Sequence, residues 1–155
     1  MLPNLDYERR LQALERFLRE IRGDRGAAVA ETWTPTVTQS GAVAVTVDNA
    51  RYTRIGNLVS TRVSLTVTGA GTGGNVIVIA GQPAAIQPGF ITGIATIGKF
   101  ILLDSGTAYY EGSVYAVGAT DWRMFAHNAA NAVGVVPNFA LAAGDIISLN
   151  CVYEV

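Results

Sequence analysis

Between residues 31 and 155 the apolar side chains fall repeatedly on alternate positions, and this period of two constrains the fold more than any other feature. The run "STRVSLTVT" (60–68) shows it best: Val63, Leu65 and Val67 face one way, Arg62, Ser64, Thr66 and Thr68 the other. A helix would scatter such a pattern around its axis, whereas a strand gathers it onto two faces. "TWTPTVT", "AVAVTVD", "NVIVIA", "GIATIGKFILL", "AYYEGSVYAV" and "DIISLNCVYEV" are also rich in Val, Ile, Thr and Tyr, which suit a pleated, half-buried surface. "DNAR", "GAGTGG", "GQPAAIQPG", "DSGTA", "VPN" and "AAGD" supply turn residues between them. Many short strands without intervening helices predict an antiparallel β-sandwich, jelly-roll-like, over 33–155. "ATDWRMFAHNAANAVGVVPNFALAAGD" (119–145) reads as a strand followed by a long loop.

The first residues follow a different period. Tyr7, Leu11, Leu14, Leu18 and Ile21 are spaced 4-3-4-3, the a/d seam of a heptad repeat. Arg10 at g and Glu15 at the following e can pair between parallel chains. Asn4 suits the helix cap, Asp6 and Glu8 its first turn, and Gly23 its end. Residues 1–30 carry six Arg and five acids, while residues 31–155 carry five Lys/Arg and seven acids over four times the length. The predicted organisation is therefore a short coiled-coil helix over 1–26, a linker over 27–32, and the β domain. Phe17, at g, widens the apolar face, so a single amphipathic helix packed on its own domain is the alternative. Two to three heptads are too few to hold chains together unaided, so an oligomeric β domain would have to contribute.

Composition narrows the function. The formal net charge is −1, which creates no strong field toward nucleic acid, and no apolar run is long enough to insert in a membrane. The segment "LDYERRLQALERFLREIRGDRG" lacks the apolar core of a signal peptide. With one cysteine, Cys151, and one histidine, His127, neither an intrachain disulfide nor a zinc site is expected.

Three motifs invite a function and fail on context. "GAGTGG" (Gly69, Gly71, Gly74) fits a dinucleotide fingerprint, but a strand follows where a helix is needed, so it reads as a hairpin loop. "GIATIGK" (Gly93 to Lys99) approximates a phosphate loop, yet Phe100 replaces the Ser/Thr and the interior is bulky, so it reads as a buried strand. Arg22-Gly23-Asp24 is an integrin tripeptide placed where a helix stops. No catalytic residues, cofactor or metal are predicted. Asp104, Glu111 and Asp121 are the carboxylates a glycan hydrolase could use, but nothing pairs them in sequence.

Aromatics flanked by polar groups are better suspects, because flat rings stack on sugars. Tyr109 and Tyr110 point to opposite faces of a strand, which exposes one of them. In "GATDWRMFAHN", where "DWR" reads as loop, Trp122 offers stacking, and Asp121, Arg123 and Asn128 offer hydrogen bonds to hydroxyls. These six are the candidate sugar-contacting residues, and packing in the core or at a subunit interface is the competing reading.

The order "WTPTV" (Trp33, Pro35), "RYTRIGNLV" (Tyr52, Ile55, Gly56, Val59), "GTG" (71–73) and "IVIAGQP" (Ile77, Ile79, Gly81, Pro83) resembles a β module of bacteriophage virion appendages, namely tail fibres, receptor-binding tips and head fibres. The resemblance covers roughly residues 32–90. It implies a homotrimeric, jelly-roll-like domain behind a short coiled coil, located on the phage particle. In that setting the helix seam forms the trimer interface and meets other virion proteins, and the β domain contacts host surface glycan. It further implies a non-enzymatic tail or baseplate fibre. The alternative is a head fibre or capsid decoration protein, followed by a lectin or a glycan hydrolase. "RYTRIGNLV" itself predicts a strand, a tight turn at Gly56-Asn57 and a second strand, with Tyr52 and Ile55 anchoring the turn.

Overall fold

A computed structural model describes residues 10–16, 30–86 and 95–155. Residues 10–16 are helical. Tyr7, Leu18, Ile21, Phe17 and Arg22-Gly23-Asp24 lie outside the described residues. The other described residues are mainly β, in ten strands: β1 (Glu31–Thr32), β2 (Thr36–Thr38), β3 (Ala42–Val43), β4 (Val45–Ile55), β5 (Leu58–Val67), β6 (Val78–Ala80), β7 (Ala95–Asp104), β8 (Ala108–Ala116), β9 (Asp121–Ala126) and β10 (Ile146–Glu154).

Every ladder is antiparallel, in the order β1-β4-β5-β10-β7-β8-β9-β6-β2-β3. The two ends of this order are joined in the chain, because only Ala44 separates β3 from β4. Its carbonyl accepts the N–H groups of Thr68 and Gly69 at the end of β5. The sheet therefore curls on itself. In a flat sheet, strands three places apart would lie about 14 Å from one another. Trp122 of β9 and Tyr153 of β10, three places apart, instead meet edge to face at 5.7 Å, and Trp33 beside β1 meets Trp122 at the same distance.

The interior of the curl is the core. On β5, Val59, Thr61, Val63, Leu65 and Val67 are buried in strict alternation, as the period of two predicts. On β10, which is paired on both sides, Ile147, Leu149, Cys151 and Tyr153 are the inward row. A fully buried side chain of this kind contributes roughly 1.5–3 kcal/mol of transfer free energy, so the two rows dominate the local energetics. The β4–β5 hairpin turns at Gly56-Asn57, with Ile55 opposite Leu58. Gly56 has φ +59, while Asn57 is not among the positive-φ residues, the pattern of a type II′ turn. Tyr52 packs against the core, but Ile55 is 59% exposed and does not anchor the turn. It shares the outward parity of Arg51 and Thr53.

Both nucleotide-like motifs resolve into scaffold. Ala95–Lys99 of "GIATIGK" is strand, and β7 continues to Asp104 where a phosphate loop would open a helix. "GAGTGG" is a loop, but not of a hairpin: β5 pairs with β4 and β10, and β6 with β2 and β9, so the segment crosses between distant strands. Its Gly71 is needed for space, because a Cβ there would sit 2.0 Å from the Gln39 side-chain oxygen. Gln39 is buried and clasps two loops; its amide donates to the carbonyls of Asn75 (3.2 Å) and Phe139 (2.8 Å), and its oxygen accepts the Leu141 N–H (2.9 Å). The buried Asp145 carboxylate does the same for the β7–β8 turn, accepting the N–H groups of Ser105 and Ala142 at 2.8 Å each. As predicted, 119–145 is a strand followed by a long loop.

Candidate binding face

The six residues singled out for receptor contact do not form one site. Trp122 is 0% exposed, and its indole lies between Trp33 and Tyr153 in the core. It therefore cannot stack on a sugar, which corrects the reading of "DWR" as a loop. The segment is strand β9, so Asp121 and Arg123 share one face and Trp122 and Met124 take the buried one. Asp121 and Arg123 are half-buried, while Asn128 is exposed in the loop beyond, at φ +60. Tyr109 and Tyr110 divide as expected: Tyr109 is 75% exposed, and Tyr110 stacks on Phe139 at 5.3 Å. Tyr109 sits at the far end of β8 from Ala116, the partner of Trp122. Seven residues of strand, about 23 Å, separate the two.

The carboxylates do not converge either. Asp104 has the inward parity of Leu102 on β7, Glu111 the outward parity of Ile101, and Asp121 begins β9 at the opposite end. His127 is nearer to other polar groups than its sequence position suggests. It shares a hollow of about 310 Å³ with Lys99, Glu111, Ser148 and Asn150, and its N–H donates to the Glu111 carbonyl at 3.1 Å. Among the described residues, no group of three His, Cys, Asp or Glu could hold a metal ion. Cys151 is buried, and desolvation pushes its thiol up to about 12, which keeps it protonated and unreactive.

What sequence reasoning missed is a row on the outer face of the sheet. Arg51 of β4 stands opposite Arg62 of β5; Arg62 stands opposite Asn150 of β10; Asn150 stands opposite Lys99 of β7; and Lys99 stands opposite Ser113 of β8. Three of the five cations in residues 31–155 thus share one line across four neighbouring strands. Arg62 Nε donates to Asn150 Oδ1 at 3.3 Å, which fixes the guanidinium without using its terminal nitrogens. These side chains line an open groove of about 620 Å³ together with Asn49, Thr53, Ser60 and Val152. Its far wall is β7, where the register shifts between Thr96 and Gly98. Gly98 is packed so closely that a Cβ would meet the Asn150 carbonyl oxygen at 2.1 Å. Beside the row, the Tyr52 hydroxyl donates to Glu31, and that bond raises the phenol above its ordinary range. No sequence signal announces the row, because residues 51, 62, 99 and 150 become neighbours only through non-local pairing.

Comparison with known proteins finds no matching family model, no similar curated protein and no similar solved structure.

Proposed function

We propose that the chain is a non-enzymatic structural subunit of a bacteriophage particle: a parallel homotrimer whose N-terminal helix joins the particle and whose β domain contacts the host surface as part of a tail or baseplate fibre. In this reading the curled sheet is a flattened, jelly-roll-like sandwich. The observation that carries the proposal is the exposure of the helix seam. Leu11 is 40% and Leu14 53% exposed, so the chain's own sheet does not cover them. Three residues apart, they lie on one helical face, and the heptad spacing fits them to the same helix of other copies. The number three comes from the resemblance to virion appendage modules, in which the "WTPTV" and "RYTRIGNLV" phrases build scaffold. Both phrases are scaffold here, the first through Trp33, half-buried against the core, and the second as the β4–β5 hairpin.

A head fibre or capsid decoration protein is the second reading. The burial of Trp122 favours it, because it removes the largest aromatic from the receptor-contact set. Adsorption competition separates the two. Purified full-length chain, added to host cells before the phage, blocks adsorption if it is the fibre module and leaves adsorption unchanged if it decorates the capsid.

A further inference from the structure

We infer that the groove across β4, β5, β10 and β7 binds an anionic polysaccharide, with Arg51, Arg62 and Lys99 engaging phosphate or carboxylate groups spaced along the polymer. The inference rests on the fibre reading above and names the ligand class that reading requires.

Cost and placement carry it. Arg51 and Arg62 are direct cross-strand partners, and like charges so placed destabilise a sheet. The β domain has few charges, so clustering three cations on one row is not a by-product of a basic surface. Fold stability gives no reason for the arrangement, whereas a polyanion neutralises it. Arg62 is held in place by Asn150, which lowers the entropy lost when a planar guanidinium takes a two-oxygen anion in bidentate fashion. Arg51 and Lys99 are three strands apart, about 14 Å, so one small anion cannot bridge them but a chain of repeated charges can. Ser60, Thr53, Asn49 and Asn150 supply the neutral hydrogen-bonding groups that sugar hydroxyls need. Glu111, diagonal to Lys99 across the β7–β8 ladder, limits the field at that end and disfavours indiscriminate binding of any polyanion.

The test measures binding of the full-length chain to immobilised polygalacturonate (carboxylate), phosphorylated dextran (phosphate), unmodified dextran and a single-stranded DNA of matched charge. The expected result is salt-dependent binding to one or both charged polysaccharides, little to neutral dextran, and weaker binding to DNA. The Arg51→Thr/Arg62→Thr double variant should weaken polysaccharide binding at least tenfold, and Lys99→Thr several-fold, with no drop in melting temperature, since all three side chains face solvent. Equal binding to neutral dextran, equal or tighter binding to DNA, or full binding by the double variant overturns the inference. If wild-type chain blocks phage adsorption yet binds neither charged polysaccharide, the ligand class is wrong and the fibre reading survives. If the chain binds them but does not block adsorption, the fibre reading fails and the groove stands as a site.

Discussion

Arg51 faces Arg62 directly across the β4–β5 ladder, so that two like charges work against the fold on its outer surface. Opposed like charges cost roughly 0.2–1 kcal/mol. Arg51→Thr should therefore stabilise the unliganded chain by that order at low ionic strength. The gain should shrink at physiological salt, where exposed charges are screened over about 8 Å. Urea unfolding of both chains at low and high salt measures it; a less stable variant would show that the pair has a structural role.

Trp122 makes the opposite prediction. It is fully buried and contacts two other aromatic rings, so Trp122→Ala should destabilise by about 3–5 kcal/mol and Trp122→Phe by clearly less. Equilibrium denaturation checks this. A melting transition unmoved by the alanine substitution would return Trp122 to the surface.

How far the fold can be read in advance depends on whether the signal is local. The β5 alternation, the Gly56-Asn57 turn and the β7 and β10 strands are legible because neighbours in sequence determine them. The burial of Trp122 was legible too. Extending the period of two through Asp121-Trp122-Arg123-Met124 turns the indole inward, although its charged neighbours favour a loop. The crossover role of "GAGTGG" and the clasp made by Gln39 had no local signal. Each depends on loops about 30 to 100 residues away in the chain. The Arg51–Arg62–Asn150–Lys99 row required the register of four strands, which no single segment encodes.

Alkaline pH should unfold the protein by a defined route. Burial raises the Cys151 thiol from 9.0 to about 12 and the Tyr153 hydroxyl from 10.0 to about 12. Below pH 9 both groups are neutral in folded and unfolded chains and have no effect. Above it the unfolded chain ionises first, so stability falls progressively from about pH 9 toward 12. Tyr153→Phe should flatten the upper part of that decline, and Cys151→Ala the part that begins near 9. Unfolding free energies across the alkaline range give both slopes.

The exposed seam predicts an assembly. Light scattering of the full-length chain at micromolar concentration should give three times 16.3 kDa. Leu11→Ser combined with Leu14→Ser should shift the distribution toward smaller species while leaving the β-sheet circular dichroism intact. A wild-type monomer would mean that the seam has no partner copy.

The most direct test of the proposed virion role is electron microscopy of the phage particles to which the proposal assigns the chain, labelled with an antibody against the β domain. Label at the tail or baseplate is the expected result. Label confined to the capsid would replace the fibre reading with the decoration reading, and particles that carry no label would contradict a virion role altogether.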